Sequence, residues 1–456
     1  FAKLSTIRDF QEAVPISTYE SLYPYIERAL RGEGNVLWPS EIEWFSVSSG
    51  TTNARSKYIP VSKESLEECH YRGGKDVMTI YFENNPESAL FDGKGLSIGG
   101  SLKQNPFDNH TQVGDVSAVI MQNLPSWAQF IRSPSLEVAL LPNWEEKMER
   151  MIAECSTENI TSLLGVPTWC VVLLENIMKQ KGISNMLEIW PDFELFVHGA
   201  VSFTPYRELF KTEFFPSPEV YYMETYNASE GFFAIQDDLS SDGEMLLLLD
   251  YGIFYEFMQM SEWEKENPQT LTIDEVEIGT SYAMIISTNA GLWRYNIGDT
   301  VRFTSKYPFR IKISGRTKHF INAFGEEVII ENAETAIKEA CKVSEATISD
   351  FTAAPVFMQS KAKGGHEWII ECPKFPNNER AFIETLDNTL REINSDYDAK
   401  RRNNAALDEP KVHFVAQGTF YKWMEKRGKL GGQNKVPRLS NSREFVEDIL
   451  EMLTSS

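Results

Sequence analysis

The stretch Trp44–Pro60 constrains this chain more than any other. An apolar, strand-like segment runs into Ser48, Ser49, Gly50, Thr51 and Thr52, passes Arg55 and Lys57, and enters a second apolar segment. Glycine lets the backbone bend so that successive N–H groups can point at one anion. The hydroxyls add donors, and Arg55 or Lys57 adds charge. That chemistry suits the polyphosphate of a nucleotide. Taken alone, the pentapeptide reads equally well as a Ser/Thr-rich surface turn.

With 456 residues, the chain is expected to form two or three domains. Its 42% apolar content is ample for large cores. A net charge of −22 argues against nucleic acid or an anionic membrane as partner, while leaving room for a local basic pocket. No apolar run has the length of a membrane span, and no basic-then-apolar leader opens the sequence shown. The five cysteines (Cys69, Cys155, Cys170, Cys341 and Cys372) include no Cys-x-x-Cys pair. Scattered reduced thiols fit a cytoplasmic location, in which the glycosylation patterns at Asn109, Asn159 and Asn227 carry no meaning.

Helix and strand signals alternate along the chain. Ser17–Glu20 reads as a capping box for a helix with Leu22, Ile26, Ala29 and Leu30 on one face, stopped at Gly32. Thr161–Val166 reads as a buried strand, followed by a helix from Pro167 to Lys181 that ends at Gly182. Val220–Thr225 reads as a strand feeding the loop Tyr226–Gly231. Met245–Leu249 and Ile253–Phe257 look like paired strands, with more at 282–287, 300–304 and 309–314. Beyond 314–318 the pattern shifts to helices at 331–342, 379–393 and 443–453 around a strand at 368–372. The expected division is therefore 1–316 and 317–456, in a mixed α/β architecture.

Several familiar chemistries are absent. No Walker pattern occurs, and the six histidines show no metal spacing. Gly93–Gly99 misses the dinucleotide fingerprint by one residue and reads as a loop. Asn227–Gly231 has Asn where a nucleophile elbow needs Gly, which counts against a serine hydrolase.

Four features remain. The hydroxyl loop is the first. The second is Tyr226–Glu230, where an aromatic could stack on a purine and a carboxylate at a strand end could hold Mg²⁺ on phosphates; a capped strand end is the plainer reading. The third is Trp293–Asp299, where a carboxylate behind glycine could hold ribose hydroxyls or simply close a hairpin. The fourth is Gly431–Arg438, a glycine-rich stretch bearing Lys435 that also fits a mobile surface loop.

In this order the four pieces resemble the acyl-adenylate-forming superfamily, and more closely the auxin-responsive acyl acid amido synthetase family of plants and its bacterial relatives. Supporting residues are Trp44–Pro60, Asn159–Trp169, Tyr226–Gly231 and Trp293–Asp299. The resemblance implies that fold, with a large N-terminal domain and a small mobile C-terminal one. It implies that Ser48, Ser49, Gly50, Thr51 and Thr52 hold the ATP phosphates. Tyr226 and Ser229 would contact adenine and the α-phosphate, and Glu230 would bind Mg²⁺. Asp299 and Arg316 would hold the ribose, Lys318 would mark the hinge, and Lys435 would be the catalytic lysine. Plant members carry arginine directly after the tyrosine of the third motif, whereas here Asn296 follows Tyr295 and Arg294 precedes it. Val166, Trp169, Val201, Phe203 and Tyr206 lie in segments that resemble the acyl-acid region, and each fits plain core packing equally well. The implied reaction joins a small carboxylic acid to an amine, expected to be an amino acid, with ATP and Mg²⁺, in a monomer or weak homo-oligomer. Coenzyme A as acceptor, and nucleotide binding without catalysis, are the alternatives.

Overall fold

Strand and helix propensity place the elements, and burial decides how they stack. The computed structural model describes residues 4–48, 57–103, 105–107, 110–203, 206–241, 243–262, 265, 267–316, 320–358, 363–402, 406–427 and 437–454. In chain order its strands begin with β1 (Trp44–Ser48), β2 (Lys57–Val61), β3 (Lys94–Ser97), β4 (Leu102–Lys103), β5 (Gln112–Gly114) and β6 (Arg132–Ser133). Next come β7 (Ile160–Gly165), β8 (Leu195–Gly199), β9 (Tyr221–Ala228), β10 (Gly231–Ile235), β11 (Met245–Leu247) and β12 (Ile253–Gln259). Then follow β13 (Ser281–Thr288), β14 (Tyr295–Lys306), β15 (Phe309–Arg316), β16 (Phe320–Ile321) and β17 (Val328–Ile329). The last are β18 (Asp350–Val356), β19 (Gly365–Cys372) and β20 (Lys411–Ala416).

Eleven of these strands form one sheet, ordered β12-β13-β14-β15-β11-β10-β9-β8-β7-β3-β6. From β6 to β9 every neighbour is parallel, and from β9 to β12 every neighbour is antiparallel. Strand β9 is the switch. Alternating side chains give the sheet two faces. On β8, Leu195 and Val197 enter one core with Tyr226 and Phe233, while Phe196 enters the other. The second core includes helix Pro167–Lys181 and runs on into Ile321, Phe324 and Trp368. The C-terminal part is therefore packed on the helix-covered face. Its own frame is the sheet β18-β19-β20, the hairpin β16-β17 and helices Ile330–Ser344 and Glu379–Ile393.

Several expectations are corrected here. The capping box is Thr18 with Ser21, not Ser17 with Glu20. The Ser17 hydroxyl is instead drawn away, donating to the Trp293 carbonyl at 2.7 Å. Gly93–Gly99 is not a loop, because Lys94–Ser97 is β3, paired in parallel with β6 and β7. Tyr226–Gly231 is no open loop either: β9 runs to Ala228 and turns through Ser229 and Glu230 into β10. Asp299 lies inside the long strand β14 rather than in a hairpin turn. β11 and β12 do not pair; β11 sits between β10 and β15, and β12 pairs with β13. Their connection is stapled to helix Tyr71–Asn84, where Arg72 donates to the Asp250 carbonyl at 2.7 Å and Tyr251 bonds Asp76. That staple carries the chain across the sheet instead of back along it.

Candidate functional site

Three sequence-distant segments meet at the C-terminal end of β9. In β1, the Ser46 hydroxyl donates to Ser229 Oγ at 2.9 Å, so the strand that enters the hydroxyl loop is tied to the β9–β10 turn. In β9, the Tyr226 hydroxyl donates to Asp299 Oδ2 at 2.6 Å. Asp299 in turn faces Arg316 across the β14–β15 ladder. Glu230, half-buried at the turn, adds its negative charge to burial in pushing the Tyr295 phenol up.

The residues beneath the turn are uncharged. Burial takes the His70 imidazole down to about 4, against an opposing contact from Asn227, so it is neutral at ordinary pH. Burial pushes the Cys69 thiol up to about 11, and its sulfur accepts from the Phe232 N–H at 3.1 Å. Cys69 is thus a packing residue, not a nucleophile.

The Tyr226 ring is only 5% exposed and lies 4.8 Å from Phe233, so the core holds the ring while its hydroxyl orients Asp299. Arg294 is also accounted for. Its guanidinium forms a bidentate pair with the buried Glu256, at 2.9 and 3.0 Å, and donates to the Gln11 and Val14 carbonyls at 2.5 Å. It pins the N-terminal segment to the sheet. Ser48 closes β1 opposite Lys57. The rest of the hydroxyl loop (Ser49, Gly50, Thr51, Thr52 and Arg55), together with Lys318 and Lys435, lies outside the described residues, and only the backbone of Arg316 is described.

A second wall comes from sheet topology. The parallel strands run in chain order β3, β6, β7, β8, β9 but lie in the order β6-β3-β7-β8-β9. The connection from β3 leads one way, to β6, and that from β7 leads the other way, to β8; such switch points open a crevice at the carboxyl ends of the flanking strands. Here those ends are Ser97–Gly100 and Gly165–Val166. Buried Lys147 fixes the first, donating to the carbonyls of Gly99 at 3.0 Å and Gly100 at 2.9 Å; burial lowers its pKa to about 8. Val166 caps helix Pro167–Lys181, and Trp169 packs 4.3 Å from Trp144.

The C-terminal part reaches this same place. Tyr206 donates to the Ala323 carbonyl at 2.8 Å and bonds Thr168 at 3.1 Å. Lys400 donates to the Gly325 carbonyl at 2.8 Å, with its ammonium 5.2 Å from the Trp169 ring. The turn at 323–326 is rigid in its own body: Glu326 accepts from the Phe324 N–H at 2.7 Å and meets His366 at 2.8 Å. Trp169 and Tyr206 are therefore gathered around this turn, with Val166 at the start of the helix that carries Trp169. Phe203 is set in an aromatic stack with His198 and Tyr222, and Val201 is buried in the same core.

Sequence reasoning missed Ser46, Lys147, Glu256 and Lys400. Lys147 carried a signal, because it sits on the apolar stripe of helix Trp144–Cys155 with Met148 and Met151. Ser46 depends on a partner 183 residues away, Lys400 on one in the other part of the chain, and Glu256 on Arg294, 38 residues on.

The chain and its fold match known proteins. Residues 1–220, 246–316 and 331–444 match the N-terminal, central and C-terminal domains of the GH3 family. The chain belongs to the GH3 family. It is 22% identical over 525 residues to the 4-substituted benzoates–glutamate ligase GH3.12 of Arabidopsis thaliana, covering 96% of this chain and 88% of that one. It is 23% identical over 523 residues to the jasmonoyl–L-amino acid synthetase JAR6 of Nicotiana attenuata, covering 98% and 87%. Among solved structures, the GH3.15 acyl acid amido synthetase shares the fold at a TM-score of 0.60 and 17% identity, over 99% of this chain and 89% of that one. A 2-hydroxyisobutyryl-CoA ligase shares it at 0.58 and 14%, over 100% and 85%. The fold is that of acyl-adenylate-forming enzymes, and this GH3 chain is an AMP-forming ligase that makes C–N bonds. Among the described residues, no helix is long and apolar enough to cross a membrane.

Proposed function

We propose that this chain uses ATP to convert a small carboxylic acid into its acyl adenylate and passes the acyl group to the amine of an amino acid. The observation that carries this reading is the pair of bonds Ser46–Ser229 and Tyr226–Asp299. They bring the hydroxyl-loop strand, the β9 turn and the β14 carboxylate to one strand end. In the first step the substrate carboxylate attacks the α-phosphorus, and pyrophosphate leaves. In the second, the amine attacks the acyl carbon and loses a proton, and AMP leaves.

Residue roles follow from position. The loop 48–52 offers backbone and hydroxyl donors to the phosphates. Asp299, oriented by Tyr226, accepts from ribose hydroxyls, with Arg316 beside it across the ladder. Ser229 would contact the α-phosphate. Among the described residues, no group of three or more His, Cys, Asp or Glu side chains could hold a metal ion. A magnesium ion carried mainly by ATP phosphates needs one or two protein carboxylates, and Glu230 at the turn fits that requirement. Such an ion would neutralise phosphate charge. Lys435, supplied by part 317–456, would add its ammonium where charge builds on the α-phosphoryl oxygens. Val166, Trp169 and Tyr206 would line the acid, with the turn at 323–325 closing over it and keeping water from the mixed anhydride.

Pyrophosphate exchange into ATP, measured over a panel of aryl and aliphatic acids, is expected to require an acid. Lys435→Ala should lower it by about 10²–10³-fold, as for loss of one preorganised donor. ATP binding without turnover of any acid would remove the reading. Thioester formed from coenzyme A with no amine present would keep adenylation and change the acceptor.

A further inference from the structure

On the helix-covered face of the sheet, away from Tyr226 and Asp299, lies a cavity of about 120 Å³. It is large enough for several waters or one small ion. Its floor is β8 and β9, through His198 and Tyr222; one wall is Gln236 at the end of β10. Over it runs the helical segment Arg207–Leu209, continued by a π turn at Phe210–Phe214. Arg207 and Lys211, one turn apart on that segment, also line the cavity. The Arg207 guanidinium lies 5.6 Å from the Phe203 ring centre, and the Lys211 ammonium 5.7 Å from that of Tyr222. Both cations are thus placed by aromatic faces.

Among the described residues, two buried polar atoms at this cavity have no hydrogen-bond partner. They are His198 Nδ1 and the Tyr222 hydroxyl, on side chains 3% and 9% exposed. Leaving such groups unmet costs about 1–3 kcal/mol each. Gln236 cannot answer them, since its amide is spent on the Asp238 and Ser241 carbonyls and its oxygen on the Glu224 N–H. Burial and the Arg207 charge hold His198 neutral, with its pKa near 3, so it brings no third positive charge. The nearest carboxylate by register, Glu224, faces His198 across the β8–β9 ladder.

We propose that this cavity is a second, separate binding site, for a small oxyanion. Lys211 and Arg207 supply charge, and the Tyr222 hydroxyl donates. A carboxylate on a small molecule and free inorganic phosphate share the chemistry that this lining recognises. The site does not depend on the proposed reaction, because it shares no residue with the adenylation site.

Calorimetry on the full chain tests it with inorganic phosphate, sodium acetate and sodium glutamate as probes. At least one is expected to bind, and Lys211→Met and Tyr222→Phe should each weaken that binding about tenfold or more. Lys211→Arg should restore it, because the charge returns. Phosphate binding alone would assign a free inorganic anion; binding of acetate or glutamate would assign a small carboxylate. Lys211 is exposed, so its replacement leaves the fold intact, and an anion held at the nucleotide loop would not respond to it. If no probe binds at millimolar concentration, or binding is unchanged in both variants, the cavity holds only water and the proposal fails.

Discussion

The two walls of the proposed adenylation site are built in opposite ways. The sheet wall joins side chain to side chain between elements that are not strand neighbours: Ser46 of β1 to Ser229 of the β9–β10 turn, and Tyr226 of β9 to Asp299 of β14. The C-terminal wall presents the backbone carbonyl of Ala323 to Tyr206, while Lys400 of the same part holds the Gly325 carbonyl. The second is a turn held to the first part by Tyr206 and by Lys400 over Trp169; on the proposed reading it is the moving wall and the sheet wall is the fixed one. On that reading, preorganisation and closure fall to different parts of one chain.

The hardest way to break the sheet wall is through its anchor. Glu256→Ala leaves the Arg294 guanidinium buried and unpaired and should cost about 3–5 kcal/mol in denaturant unfolding. A loss below about 1 kcal/mol would show that β14 does not depend on Arg294.

Acid should separate the walls. His70 titrates near 4 in the fold against 6.5 when free, so its contribution is present above pH 6.5 and fades as pH falls toward 4. The loss reaches roughly 3 kcal/mol at pH 4. In the C-terminal part, burial alone would raise the Glu367 carboxyl, but Lys411, His413 and Arg443 hold it near 2 against a usual 4.5. Its contribution is present above pH 4.5 and lost between 4.5 and 2. Hydrogen exchange at pH 5 should therefore find the amides around β9 and β10 loosened before those of β19; the reverse order would invert the comparison.

Asp299→Asn keeps the shape of its side chain and removes its charge. The KM for ATP should rise roughly tenfold to a hundredfold, by about 1.5–3 kcal/mol. Tyr206→Phe removes one bond to the moving wall, worth about 1 kcal/mol. Amide formation should slow several-fold while pyrophosphate exchange changes less. Equal losses in both steps would place Tyr206 in the fixed wall instead.

Local signals carried much of this into the sequence. Helix Pro167–Lys181 was legible from Pro at its start and Gly182 beyond its end, and helix Glu379–Ile393 from its apolar spacing. Strand pairing was not, because it is a long-range choice. Nothing local to Asp250–Gly252 says that Arg72 and Asp76 will redirect the chain across the sheet. Likewise Gly93–Gly99 read as a loop because glycine weakens a strand signal, although a parallel strand buried among neighbours tolerates it. Asp299, Ser229 and Glu230 were legible as motif positions; that Tyr226 would spend its hydroxyl on Asp299 was not.

The knot at Arg294 reaches further than stability. Its guanidinium takes the carbonyls of Gln11 and Val14, and Ser17 exchanges backbone bonds with Arg294 and Asn296. Residues 7–17 thus behave as an extra lining strip along the strand that carries Asp299. Trimming them to obtain a shorter expression product would detune a pocket that they never touch.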